Sequence, residues 1–292
     1  MREPSIATSG TFLIGGDLHV HRLGYGTMRL VGDGAWGEPN DPDEAKRVLR
    51  RAVDLGVNLI DTADAYGPEI AERLICEALH PYPAGVVIAT KGGITRQGPA
   101  KTEYVGRAGY LIQCVEMSLR RLKLERIELY QLHRIDPRTP LEESLGALKR
   151  MQEQGKIRHI GMSEVNVEQI EQARAIVQVV TVQNRYSLAD RRHEETLRYC
   201  EQQGIGFLPW YPLAGGKVLR PGHEKTPTLA EIASRHGVGA AQLSIAWLLQ
   251  RSPVMLPIPG TSKVAHLEEN LAAVSLQLSA EDWAEIDATC AS

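Results

Sequence analysis

The sequence predicts an α/β fold of the parallel (β/α)8 barrel type, and three observations carry that expectation. Short apolar runs recur eight times along the 292 residues, and each is followed by a stretch with helical spacing. The length suits one barrel of roughly 250 residues with additions at its ends. No low-complexity segment or linker interrupts the series, so residues 1–292 are expected to form a single domain. Strands alternating with helices imply right-handed βαβ units, and eight of them close into a barrel more naturally than they form an open sheet.

The first element is a hairpin. In "TFLIGGDLHVHRLG" two extended runs, Phe12 to Ile14 and Leu18 to Leu23, flank Gly15-Gly16-Asp17, a turn sequence that would lay the pair over one barrel end. The eight strand candidates follow as "RLGYGTM", "VNLIDTADAYG", "VVIATKGG", "ELYQLHR", "IRHIGMS", "VVTVQNRYSL", "GIGFLPWYPL" and "VMLPIPGTS". Between the first two, Asp41-Pro42-Asp43-Glu44 offers an N-cap, a proline at the first helical position and an acid at the third, with Gly56 closing the helix. Thr139-Pro140-Leu141-Glu142 repeats the device for a helix ending at Gly155. Near the C-terminus "TLAEIASRHG" and "GAAQLSIAWLLQRS" read as two helices before the last strand, and "SAEDWAEIDATC" as a terminal helix capped by Ser279.

Composition narrows the function. A formal net charge of -3, with Lys and Arg dispersed, leaves no basic stripe for nucleic acid. The four cysteines (Cys76, Cys114, Cys200, Cys290) are far apart, without the spacing of a zinc site or a disulfide framework, so reduced thiols and a cytoplasmic location are expected. The N-terminus lacks the apolar core of a signal peptide and no run approaches the ~18 apolar residues of a membrane span. The expected partner is therefore a small molecule.

Polar residues gather at the C-terminal ends of the strands: Asp61 with Tyr66 in the loop beyond it, Lys91, His133, Ser163, Gln183, Trp210 and Thr261. Any one of them alone is as well explained as a loop cap. Barrel interiors are filled with branched apolar side chains, however, and chemistry belongs at this rim. An isolated phenol has a pKa near 10, and an ammonium beside it lowers that value. Lys91 is expected to supply this charge to Tyr66, Asp61 to hold Lys91 charged and aimed, and His133 to orient a carbonyl or pass a proton. Such a group suits general acid catalysis of carbonyl reduction, with the hydride coming from a cofactor because no side chain can donate one.

From about Gly24 to Asn270 the chain resembles the aldo-keto reductases, through "LGYGTM", "DTADAYG", "ATKGG", "LYQLHR", "IGMS", "VQNRYSL" and "IPGTS...LEEN" in that order. The resemblance places the family's catalytic tetrad on Asp61, Tyr66, Lys91 and His133, with Tyr66 as the acid. It implies a nicotinamide dinucleotide, NADPH in preference to NADH, laid across the C-terminal rim without a G-x-G-x-x-G motif. Its cofactor positions fall on Gly26, Thr27, Met28, Asp61, Ser163, Gln183, Trp210, Tyr211, Pro212 and Leu213. Glu164 stands where an Asn is commoner, and an ionised Glu accepts hydrogen bonds but cannot donate one. Trp210 replaces the usual stacking Tyr, and Tyr211 stands where Ser is usual. Around the 2′-phosphate the implied residues are Gly260, Thr261, Ser262, Lys263 and His266, with Glu269 and Asn270 at the adenine; His266 in place of Arg implies weaker discrimination against NADH.

Substrate choice is expected to lie in loops: 29–39 with Trp36, "GITRQGPAKTEYVG", and "AGGKVLRPGHEK". Met28 and Trp36 would wall the pocket beside Tyr66 and His133, and Arg96, Lys101 and Lys217 would favour anions. "HRID" and "SKVAHLEENLAA" are similar to bacterial relatives assigned to pyridoxal reduction or pyridoxine oxidation. Two other readings come from different classes. The His19-x-His21 pair has metal-hydrolase spacing, but it lies in the hairpin and the eighth strand ends without an Asp ligand, so no metal is expected. A cofactor-sensing regulatory subunit with little turnover is the other, and the complete tetrad argues against it.

Overall fold

A computed structural model describes residues 5–213 and 226–290. Its strands are β1 (Thr11–Ile14), β2 (Leu18–His21), β3 (Tyr25–Gly26), β4 (Leu59–Asp61), β5 (Val87–Gly92), β6 (Ile94–Gly98), β7 (Lys101–Tyr104), β8 (Ile127–Leu132), β9 (Ile157–Ser163), β10 (Val179–Gln183) and β11 (Gly206–Phe207). Its helices are α1 (Pro42–Asp54), α2 (Ile70–Leu79), α3 (Ala108–Leu122), α4 (Leu141–Glu153), α5 (Val167–Arg174), α6 (Glu194–Gln203), α7 (Thr226–Arg235), α8 (Ala240–Arg251), α9 (Val264–Ala272) and α10 (Ala280–Cys290).

Seven strands form one parallel sheet in the order β3-β4-β5-β8-β9-β10-β11. The eighth run, "VMLPIPGTS", closes the barrel without forming a regular strand. On one side the Leu256 N–H donates to Phe207 O at 2.8 Å and the Phe207 N–H to Val254 O at 2.8 Å. On the other, the Gly24 and Gly26 N–H groups donate to Pro257 O (2.9 Å) and Pro259 O (3.4 Å). Prolines 257 and 259 have no N–H to return, so the ladder toward β3 runs one way only. Room for this closure comes from glycine: a Cβ on Gly26 would stand 2.6 Å from Ile258 O.

Alternation along the strands sorts their side chains into two layers. Leu59, Val87, Ala89 and Leu129 point into the barrel, whereas Ile60 and Ile88 join Val48, Leu49, Leu74 and Ile75 of α1 and α2 outside it. The inward row changes character along its length, since beyond Leu59 comes Asp61, beyond Ala89 comes Lys91, and beyond Leu129 come Gln131 and His133. The barrel is thus apolar at its N-terminal end and polar at the other. The β1–β2 hairpin plugs the apolar end: Ile14, Leu18 and Val20 pack with the inward residues. Ile14 and Val20 are fully buried, each worth about 1.5–3 kcal/mol.

Helix signals read from sequence mostly hold. Asp41 accepts the Glu44 N–H at 2.8 Å as N-cap of α1, and Gly56 follows that helix at φ 90°. Ser279 exchanges hydrogen bonds with Asp282 at the head of α10. Thr139 does not cap α4. Its hydroxyl donates instead to Asp136 at 3.1 Å, and Pro140 takes the N-cap position. The stretch after β5, expected as a loop, is the antiparallel β6–β7 hairpin standing over the polar rim.

Candidate active site

Neighbouring strand ends bring three of the four proton-transfer candidates together: Asp61 is the last residue of β4, Lys91 the last but one of β5, and His133 follows the last of β8. Lys91 is completely buried, and its ammonium donates to both oxygens of Asp61 (2.8 and 2.7 Å) and to Thr62 O (2.6 Å). Asp61 Oδ1 also accepts from Gln183 Nε2 at 2.8 Å and Gln131 Nε2 at 3.3 Å. A buried carboxylate and ammonium are costly to desolvate unless such partners satisfy them, and here they are satisfied. The Lys91 nitrogen lies 5.2 Å from the centre of the Tyr66 ring, and the rings of Tyr66 and His133 meet edge to face at 6.0 Å.

Burial sets the protonation states. It pushes the Tyr66 phenol above its ordinary value despite the opposing pull of Lys91. The expectation that the ammonium would lower this pKa therefore needs correction: desolvation outweighs it. For Lys91 burial works the other way, but Asp61 and Tyr66 overcome it and hold the ammonium charged. Burial, reinforced by Lys91, Arg134 and Arg96, drives His133 well below the ordinary imidazole range, so the ring is neutral at pH 7. Its Nδ1 has no hydrogen-bond partner.

Above this group lies a cavity of about 480 Å³. Asp61, Tyr66 and His133 line it, as do Gly26, Met28, Ser163, Gln183, Trp210, Tyr211, Pro212, Leu213 and Gly260 among the expected residues. The Ser163 hydroxyl donates to Gln183 O at 2.8 Å, and the Gln183 amide N–H is taken by Asp61. What these two side chains still offer is the Gln183 amide oxygen as acceptor, its second N–H as donor and one lone pair on Ser163 Oγ, which suits both the N–H and the C=O of an amide. Trp210 supplies an aromatic face, and Gly260 keeps the wall thin, since a Cβ there would stand 2.7 Å from Gly26 O. These features fit the nicotinamide end of a dinucleotide.

Glu164 does not line the cavity. Its Oε1 accepts the indole N–H of Trp210 at 2.5 Å and the backbone N–H of Arg185 at 2.6 Å, with its own backbone in the left-handed region (φ 56°). It therefore orients Trp210 rather than facing a ligand. Trp36, expected to add apolar wall, is also outside the lining. Its segment braces the Tyr66 loop through backbone bonds, Gly37 N–H to Gly67 O (2.6 Å) and Gly67 N–H to Ala35 O (3.1 Å).

The expected phosphate and adenine residues lie farther along the rim. Thr261 Oγ1 accepts the Lys263 N–H at 3.2 Å just before α9; Ser262, Lys263, His266 and Glu269 are exposed, while Thr27 and Asn270 are buried. A helix N-terminus attracts anions. At α9 the carboxylate of Glu44 already accepts the Val264 N–H at 3.2 Å. "AGGKVLRPGHEK", with Lys217, lies outside the described residues.

Sequence reasoning missed Gln131, Arg134 and Ala241. Gln131 was legible as a polar residue inside an apolar strand, in alternation with His133. Arg134 follows His133 and reads as a solvated charge, yet it lines the cavity; its Nη1 donates to Ser163 Oγ at 2.8 Å and to His133 O at 2.6 Å. Ala241, at the start of α8, carries no chemical signal. The His19–His21 pair sits in the sealed end, far from this rim by strand order, and among the described residues no group of three or more His, Cys, Asp or Glu side chains is placed to hold a metal.

Known proteins give the same picture. Residues 22–291 match the sequence model of the aldo/keto reductase family. An uncharacterized oxidoreductase of Schizosaccharomyces pombe is 48% identical over 280 residues, covering 96% of this chain and 89% of that protein. Pyridoxine 4-dehydrogenase of Escherichia coli is 41% identical over 286 residues, covering 96% and 98%. The crystal structure of an aldo-keto reductase from Klebsiella pneumoniae in complex with NADPH superposes with a TM-score of 0.82 at 28% identity, covering 96% and 94% of the two chains.

Proposed function

The chain belongs to the aldo/keto reductase family of NAD(P)H-dependent oxidoreductases, and from that premise we propose that it reduces an aldehyde or ketone to the alcohol with Tyr66 as proton donor. The observation that carries this reading is Lys91, wholly buried and clamped by Asp61 beneath Tyr66 at the floor of an open cavity. Bound NADPH supplies the hydride.

The substrate carbonyl sits with its oxygen toward Tyr66 and His133. Tyr66, kept protonated by burial, donates to that oxygen as it gains negative charge. Lys91 then stabilises the phenolate left behind, and Asp61 with Gln131 and Gln183 keeps the ammonium fixed. Neutral His133 offers a hydrogen bond that orients the carbonyl without competing for the transferred proton. Ser163 and Gln183 would hold the nicotinamide amide, Trp210 would offer its face to the ring, and the head of α9 with Lys263 would take the phosphate.

One barrel domain would carry both cofactor and substrate. Buried thiols at Cys76, Cys114 and Cys200 suit a reducing, cytoplasmic setting, and no helix among the described residues is long and apolar enough to cross a membrane. The similarity to pyridoxine 4-dehydrogenase supports pyridoxal as one substrate to try. The test is consumption of NADPH by the purified chain with a panel of aldehydes, ketones, sugars and pyridoxal. Turnover is expected with activated aldehydes; tight NADPH binding with no turnover on any of them would sink the reading and favour a sensor.

A further inference from the structure

The charge lining the cavity is unbalanced. Arg29, Arg96 and Arg134 contribute guanidinium groups, and the one carboxylate in the lining, Asp61, is neutralised by Lys91. Many guanidinium groups elsewhere on the molecule are paired, as in Arg121 with Glu72, Arg138 with Glu103 and Arg158 with Glu128. Among the described residues Arg96 and Arg134 have no salt bridge.

Their hydrogen bonds show what remains free. Arg134 spends Nη1 on His133 O and Ser163 Oγ, which uses both hydrogens of that nitrogen. Its Nε and Nη2, the edge that matches two carboxylate oxygens, make no hydrogen bond to the described residues. The guanidinium lies 5.9 Å from the Trp210 ring, which limits its tilt, and Glu164 in turn fixes Trp210. Arg96 donates from Nε to Ala65 O at 2.8 Å and from Nη1 to Gly34 O at 3.3 Å, leaving Nη2. Glu164, an acid on which Arg134 acts electrostatically, has one oxygen committed to Trp210 and Arg185.

Position separates these two arginines from the cofactor's phosphates. Arg29 lies beside Gly260, on the side leading to α9. Arg96 is held against the residue preceding Tyr66, and Arg134 follows His133 directly, so both flank the place where the carbonyl reacts. Resting on the carbonyl reduction proposed above, we propose that the substrates of this site carry an anionic group, a carboxylate above all, which Arg134 grips by its free edge while Arg96 adds a second positive charge. A planar fork and a carboxylate match in geometry, and at half-buried guanidinium groups the contact is stronger than at the exposed surface. The partly prepaid orientation of both guanidinium groups favours binding further.

The test compares 4-carboxybenzaldehyde with its methyl ester, two aldehydes of like shape, by kcat/KM with saturating NADPH. The wild type is expected to favour the carboxylate by on the order of tenfold to hundredfold, the range for a charged hydrogen bond, mostly through KM. Arg134→Gln should remove most of that preference, Arg96→Gln part of it, and Arg134→Lys should retain an intermediate preference as a point charge without the fork. Raised salt should shrink the wild-type preference. Equal or better use of the ester by the wild type overturns the proposal, as does an Arg134→Gln variant that weakens NADPH binding yet keeps the preference, since the guanidinium would then serve the cofactor. Should Arg134→Gln not fold, the Arg96→Gln ratio and the wild-type salt dependence decide. If NADPH binds and neither aldehyde is reduced, carbonyl reduction itself fails and this proposal falls with it, a result distinct from a lost preference.

Discussion

Glu164 holds Trp210: one carboxylate oxygen takes both the indole N–H at 2.5 Å and the Arg185 backbone N–H at 2.6 Å. Burial alone would raise its pKa, but the His193 ring 3.8 Å away and the hydrogen bonds from Trp210 and Arg185 bring it down to about 2. Glu164→Ala should free the indole and raise KM for NADPH by about tenfold, the worth of one charged hydrogen bond, with a smaller change in kcat. Glu164→Gln keeps an acceptor oxygen and should restore most of the loss. Steady-state kinetics with varied NADPH checks this, and equal KM values for all three proteins would refute it.

Tyr66→Phe removes the proposed proton donor and little else. Reduction should fall by about 10²- to 10⁴-fold in kcat/KM while the NADPH dissociation constant stays within a factor of about two. In the wild type the acid is held above its ordinary value and His133 below its own. The rate of reduction should therefore stay level from about pH 6.5 to about pH 10, then decline as the phenol ionises. A decline already under way at pH 8, with hydride transfer limiting as judged by a deuterium effect from labelled NADPH, would contradict that assignment.

At the head of α9 the carboxylate of Glu44 accepts the Val264 N–H, where it opposes an incoming phosphate. Arg47 and the same N–H hold Glu44 ionised, pulling its pKa below the ordinary value. Glu44→Gln should lower KM for NADPH about two- to fivefold and leave NADH nearly unaffected, because only the former carries the extra phosphate. A matched change for both cofactors would place the phosphate elsewhere.

Asp64 lies in the same loop as Tyr66, buried, with Oδ1 unpartnered. Burial and the neighbouring Glu72 push its carboxyl up from 3.8 to about 7. Its folded pKa is above the unfolded one, so the folded chain holds this proton longer. Stability from Asp64 is full below about pH 4, is lost as pH rises toward 7, and changes no further above that, a loss of up to about 4 kcal/mol. Asp64→Asn should flatten this slope and melt higher than wild type at pH 8, by thermal denaturation across pH 4–8.

The sequence shows the proposed tetrad plainly, because Asp61, Lys91 and His133 stand at or beside the ends of apolar strands where polarity has no packing role. It also marks the strands themselves, down to the alternation that turns Leu129 inward. What it hides is competition. Thr139 looks like an N-cap until Asp136 claims its hydroxyl. Residues 254–262 look like a strand, but Pro257 and Pro259 leave the ladder toward β3 without return donors. Glu164 stands where a ligand contact is expected and is drawn away by Trp210, a partner 46 residues on. Arg134 escapes notice because a charge after a strand is most often solvated, whereas here His133 O and Ser163 Oγ hold its guanidinium at the cavity.

The β1–β2 hairpin has a consequence for traffic. With Ile14, Leu18 and Val20 stoppering one end of the barrel, cofactor and carbonyl compound would share, among the described residues, the opening at the other. Whichever lies deeper must enter first and depart last, so the two queue, and a slow departure at that opening delays every later arrival however fast the chemistry beneath it.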